Sequence, residues 1–331
     1  MSELVGAAGS VLLLPVAGFP LFTFLTSLTL AALVIAAGRL TRGRPIRGRI
    51  LMRALFPKWV LRGGSAHVDL AFAAFNLVAP GLLFGWALLS GASIATQTRA
   101  VLEHAFGARA PCALPLSLLT LATAVVAMLA YEFGYWLDHW LKHRVPFLWE
   151  FHKVHHTARH LSLLTQYRVH PVDSVLFINM LAITGGLAQG ATFWLLGGRV
   201  TPMSFAGLNV ILLLGLATFV HLQHTEVWIP FTGLWGRLFL SPAHHQLHHS
   251  DDPDHHGRNL GSMFALFDWM FGTLLVPTRQ RQKLRFGVGA QDETAGDIAG
   301  SFLVPFVRAW RGLDRRRPGG ERVEPAPVTP T

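Results

Sequence analysis

Long apolar runs constrain this chain more than any other feature. The first, Val11–Ala37, carries no ionisable side chain. A run of about 20 apolar residues is long enough to cross a bilayer core as a helix. In lipid, such a segment has to satisfy its own backbone N–H and C=O groups. Further apolar runs cover Val68–Ile94, a stretch beginning near Ala113, Val172–Gly198 and Phe205–Val220. The expected fold is an all-α integral membrane protein, a transmembrane bundle of about 4–5 spans. Pro80 inside the second run is tolerated there as a kink. Residues Ala95–Cys112 read as a polar loop, and the last two runs read as a hairpin out and back.

Charge sets the direction. Arg39, Arg42, Arg44, Arg47, Arg49, Arg53, Lys58 and Arg62 follow the first run, so that loop is expected in the cytoplasm. The net charge of +10 gathers there and in Arg279–Arg322, beside apolar segments. That placement suits anionic lipid. No nucleic-acid motif accompanies it, and nucleic acid is not expected as a partner. The N-terminus lacks a basic n-region, so the first run is expected to stay as an anchor. Three regions are expected: 1–112 with the first spans and the basic loop, 113–277 as the catalytic unit, and 278–331 as an interfacial segment and disordered tail.

The single cysteine, Cys112, excludes an internal disulfide, an iron–sulfur cluster and a thiolate-rich zinc site. Any bound metal has to be held by nitrogen and oxygen. Fifteen of the 17 histidines lie between 139 and 256. His139 and His143 are four residues apart in HWLKH. His152, His155 and His156 form HKVHH, and His245, His248 and His249 form HQLHH. His221 and His224 are three apart. Positions i, i+3 and i+4 share a helix face, so each cluster is expected to aim two or three imidazoles at one point. Imidazole suits iron, zinc and copper. Four such faces provide for more than one ion. All of them fall in segments assigned to the cytoplasmic side, as a histidine-rich helical cap on the bundle. Asp138, Glu150, Asp173, Glu226, Asp251, Asp252 and Asp254 are available to orient the rings. His67, His104 and His160 read as isolated interfacial side chains. His244 competes with His245 for register; His245 is preferred because HQLHH then repeats the spacing of HKVHH.

HWLKH, HKVHH and HQLHH, in that order between apolar runs, resemble the fatty acid hydroxylase/sterol desaturase superfamily of membrane di-iron enzymes. Arg168-Val169-His170-Pro171-Val172-Asp173 is similar to the family's RxHPxD/E stretch. Ser241-Pro242, Gly257-Arg258-Asn259-Leu260-Gly261 and Phe267-Asp268-Trp269-Met270-Phe271-Gly272-Thr273 resemble the segments around its third box. The resemblance covers about Glu132 to Pro277. Two departures stand out: His256 replaces a common Tyr before Gly257, and Glu226 stands where Asn is common after His221 and His224. Which of His221 and His224 is a ligand, or whether both are, stays open.

The resemblance implies two Fe ions, O2 as co-substrate and oxidation of an unactivated C–H bond. It implies metal ligation by His139, His143, His152, His155, His156, His221, His224, His245, His248 and His249. It also implies catalytic roles for Arg168, His170 and Asp173. Arg168 is expected to pair with Asp173, or else to meet a substrate headgroup. The substrate is expected to be a lipid drawn from the bilayer. Tyr131, Phe133, Tyr135 and Trp136 read as an interfacial aromatic belt first and as a substrate path second. Arg317-Pro318-Gly319-Gly320 lacks the histidine of a haem-binding HPGG, so electrons are expected from a separate ferredoxin, cytochrome b5-like protein or NAD(P)H reductase. Hydroxylation is preferred over desaturation, which needs the same site. A histidine-rich metal transporter is disfavoured, because transport sites lie near the midplane on interrupted spans.

Overall fold

The computed structural model describes residues 25–55, 63–205, 208–215, 221–289 and 293–314. The helices are α1 Leu25–Leu40, α2 Gly48–Leu55, α3 Gly64–Phe84, α4 Gly91–Phe106, α5 Leu116–Arg144, α6 Pro146–His156 and α7 Pro171–Leu195. After a small antiparallel hairpin, Ser204–Phe205 with Leu208–Asn209, come α8 Val210–Gly215, α9 His221–Gln223, α10 Gly233–Leu238, α11 Pro242–His248, α12 Leu266–Met270 and α13 Ile298–Asp314. Apart from that hairpin and two isolated bridges, the described residues form a helical fold.

Among the described residues, α5 and α7 are the helices long and apolar enough to cross a membrane, with mean hydropathy 1.8 and 1.5. Their outward faces carry exposed Leu118, Leu121, Val125, Ile178, Ile183 and Leu187. A contiguous apolar surface of that kind suits lipid rather than water. The start of the first expected span and residues 206–207 and 216–220 of the last lie outside the described residues, so the expected four to five spans reduce, among the described residues, to two long apolar helices.

The second expected span ends early. Helix α3 passes into a 3-10 turn at Gly85–Ala87, and a new helix begins at Gly91. The Ser90 side chain accepts the Ser93 N–H and caps that start. Residues 95–106, expected as loop, are therefore the body of α4, which ends at Gly107 with φ +80°. Helix α4 lies directly on α7. A Cβ at Gly190 would stand 2.5 Å from the Ala95 carbonyl oxygen, and one at Gly186 2.7 Å from Ile94 Cβ. Those glycines let the two backbones meet.

The turns that follow bring the histidine segments together. Pro146 disfavours helical geometry at Val145, which is extended (φ −97°, ψ 111°) and separates α5 from α6. Pro171 sits at the first position of α7, where its missing N–H costs nothing. His170 is the N-cap, and its Nδ1 accepts the Val172 N–H at 3.2 Å.

Candidate metal centre

Nine of the ten histidines expected as ligands have described side chains, and these nine form two groups. His139, His143, His152, His156 and His248 make the first; His155, His224, His245 and His249 make the second. Within each group the ligand atoms lie within 4.8 Å of one another. The side chain of His221 lies outside the described residues.

Each HxxHH box serves both groups, instead of aiming all its rings at one point. His152 and His156, four apart, join the first group, and His155 joins the second. His245 and His249, again four apart, join the second, and His248 joins the first. Successive helical residues point about 100° apart, so adjacent histidines cannot face one ion. The ring planes of His155 and His156 are accordingly 90° apart, and those of His248 and His249 are 89° apart.

The rings are oriented from behind. His139 Nδ1 donates to the Leu260 carbonyl at 2.8 Å, His248 Nδ1 to Arg258 at 2.9 Å, and His155 Nδ1 to Arg168 at 3.2 Å. His152 Nδ1 donates to Asp173 Oδ2 at 2.9 Å. A neutral imidazole with its proton on Nδ1 presents a bare Nε2 lone pair. The Nε2 atoms of His139, His143 and His248 are buried with no hydrogen-bond partner.

In the second group the Nε2 atoms of His155, His224, His245 and His249 follow one another at 3.0, 2.9 and 3.0 Å. His155 Nε2 is an acceptor, because its proton is on Nδ1. A nitrogen that carries a proton cannot accept another, so linear hydrogen bonds cannot satisfy all three contacts. A cation satisfies all four nitrogens at once. Ligand nitrogens on bonds of about 2.1 Å at right angles stand roughly 3 Å apart, which is the observed spacing.

Burial, reinforced by the neighbouring imidazoles, holds His155, His156, His245 and His249 well below the ordinary histidine range. Burial pushes His248 down to about 3. These rings are neutral at pH 7 and can bind metal.

A further set of residues braces the rings. Asn259 adopts φ +54°, and its amide donates to the His244 and Leu275 carbonyls. Asp268 accepts the Leu260 and Gly261 N–H groups, both at 2.8 Å, and the Thr273 hydroxyl at 2.6 Å. The RNLG and FDWMFGT segments thus hold the carbonyls that orient His248 and His139. His244 stands apart: its Nδ1 accepts the Ser241 N–H, its Nε2 donates to the Gly236 carbonyl, and burial pushes it to about 4.

The residues expected to be catalytic sit behind the groups. Arg168 does not pair with Asp173. Its Nε faces Asp69 Oδ1 at 3.1 Å, and its Nη1 and Nη2 donate to Ser65. Asp173 lies in the first turn of α7, within the bundle, and pairs with Lys142 and His152. Lys142, buried between Asp138 and Asp173, had no assigned role in the sequence. A lysine four residues after an aspartate on a mostly apolar helix was the available signal. His170 Nε2 donates to the Phe302 carbonyl at 3.0 Å, away from both groups. Of the aromatics before the first box, Tyr135 packs edge-on to His139 and Phe177. Trp136 stacks on Phe271.

Residues 124–273, which hold every histidine of both groups, match the sequence profile of the fatty acid hydroxylase family. Similar proteins include ornithine lipid hydroxylase OlsE of Rhizobium tropici, 27% identical over 187 residues, 56% of this chain and 51% of that one. Cholesterol 25-hydroxylase of Homo sapiens is 31% identical over 188 residues, 52% of this chain and 61% of that one. Alkylglycerol monooxygenase of Xenopus tropicalis is 25% identical over 172 residues, 49% of this chain and 32% of that one. The chain thus spans about half to three-fifths of the first relatives it matches. No solved structure matches it. Within the matched segment, Glu132 joins the brace by accepting the Met263 N–H at 3.0 Å.

Proposed function

We propose that this protein is a membrane-bound oxygenase that hydroxylates an unactivated C–H bond of a lipid. In this reading two iron ions are held by the two imidazole groups, and electrons come from a separate ferredoxin, cytochrome b5-like protein or NAD(P)H reductase. The observation that carries the reading is the convergence of buried, partnerless Nε2 atoms whose rings are fixed through Nδ1. Bound iron would supply O2 activation and hydrogen abstraction, chemistry that amino-acid side chains lack.

The chain's own residues hold, orient and admit. His139, His143, His152, His156 and His248 would hold one ion, and His155, His224, His245 and His249 the other, with His221 a tenth candidate. Asp173 and Arg168 act through His152 and His155, and His170 acts by starting α7. A cavity of about 910 Å3 reaches His143, His156, His248 and His249, with Trp140 and Trp149 in its wall. That volume accommodates a lipid beside both groups. Relatives named as hydroxylases of ornithine lipid and cholesterol, and as an alkylglycerol monooxygenase, support a lipid substrate. The site is assigned to the cytoplasmic face, where a soluble reductant meets it.

The test is metal analysis of the purified protein, with mass spectrometry of lipids from a host with and without the gene. Two irons per chain and a lipid heavier by one oxygen are expected, and His155→Ala should abolish the product. A lipid lighter by two hydrogens would reassign the reaction as desaturation. Full activity in His155→Ala would overturn the site.

A further inference from the structure

Helix α3 lies outside the segment that matches the family, yet one of its faces grips the chain behind the second imidazole group. Ser65, Asp69, Phe72 and Asn76 are spaced i, i+4, i+7 and i+11, which places them on one side of the helix. Asp69 is 2% exposed. Its Oδ2 accepts the Thr165 hydroxyl at 2.8 Å and the Ser162 hydroxyl at 3.1 Å, and its Oδ1 faces Arg168 Nε. The Asn76 amide donates to the carbonyls of Tyr167 and Val169, at 2.9 and 2.8 Å. The carbonyl between those two, that of Arg168, accepts His155 Nδ1.

We infer that Asp69 is a positioning residue for the second metal group, acting through Arg168 on His155. The inference rests on the two-metal reading and extends it to a residue 86 positions before its target. Each group then has its own carboxylate. Asp173 bonds directly to His152 of the first, and Asp69 reaches His155 of the second through a fully buried guanidinium and its peptide. Such outer partners fix the tautomer and orientation of a ligating imidazole, and losing one weakens metal binding about 10–100-fold.

The experiment is a Co2+ titration of the detergent-solubilised full chain, followed by visible absorption. The unchanged protein is expected to take two equivalents. Asp69→Ala is expected to bind one equivalent with unchanged affinity and the other at least ~10-fold more weakly, with an altered spectrum for the weaker ion alone. Retention of the first equivalent reports an intact fold. Asn76→Ala, which strands no buried charge, carries the same expectation in milder form and decides the matter if Asp69→Ala does not fold. Fewer than two equivalents in the unchanged protein would overturn the two-metal reading. Two equivalents at unchanged affinity in the variants, or equal weakening of both, would overturn the role of Asp69 alone.

Discussion

His156 and His249 lie ring against ring, 4.5 Å between centroids and 24° between planes, although each belongs to a different imidazole group. Their stacking makes a common wall between the two groups. Each ring comes from the last position of its HxxHH box, so the two boxes meet there.

Removing either ring should affect one ion more than the other. His156→Ala is expected to lose the ion of the first group and His249→Ala that of the second, each leaving about one equivalent bound, and both should abolish lipid oxidation. Metal analysis alongside product mass spectrometry checks this. Full occupancy in either variant would contradict the grouping.

Asp173→Ala takes one of its two carboxylates from Lys142, which is 3% exposed, and the acceptor from His152. Breaking a buried ion pair from one side costs about 3–5 kcal/mol. Thermal unfolding in detergent should show a loss of that order, together with weaker binding of the first ion. Here Asp138 remains beside Lys142, so the loss should sit at the lower end.

Acid should destabilise the metal-free protein. Folded pKa values of His155, His156, His245 and His249 lie well below the ordinary value, and His248 sits at about 3. As pH falls, the unfolded chain therefore takes up protons first. Stability is fully present above the unfolded value of about 6.5 and declines as pH drops below it toward the folded values. The thermal midpoint of chelator-treated protein should be level above roughly pH 7 and fall steadily toward about pH 5. A midpoint level across that interval would count against neutral buried rings.

Gly190→Leu places a side chain where a Cβ alone would stand 2.5 Å from the Ala95 carbonyl oxygen. Overpacking of this kind costs about 1–3 kcal/mol. Gly185, whose Cβ would meet nothing within 4 Å, is the control: Gly185→Ala should leave the unfolding midpoint unchanged or raise it.

The histidine pattern was legible because a helix converts sequence spacing directly into direction. His152 with His156 and His245 with His249 are pairs four apart, and each pair shares a group. What spacing did not reveal was the crossing of His155 and His248, which depends on how α6 and α11 face each other. The Arg168 partner was illegible for a related reason. Asp173 is five residues away but lies beyond the His170 cap, whereas Asp69 is 99 residues away and adjacent in space. Helix α4 was hidden because Thr96, Gln97, Thr98 and Arg99 resemble loop composition, and what makes the helix is its contact with the glycines of α7.

Three of the rings are steered by peptide oxygens, those of Arg168, Arg258 and Leu260, rather than by side chains. An oxygen of the main chain stays in place whatever residue bears it. Tolerance at this centre is therefore governed by length rather than lettering. Exchanging Leu260 for another apolar residue leaves the His139 contact intact, whereas one residue inserted between Ser250 and Gly257 moves two oxygens out of register together.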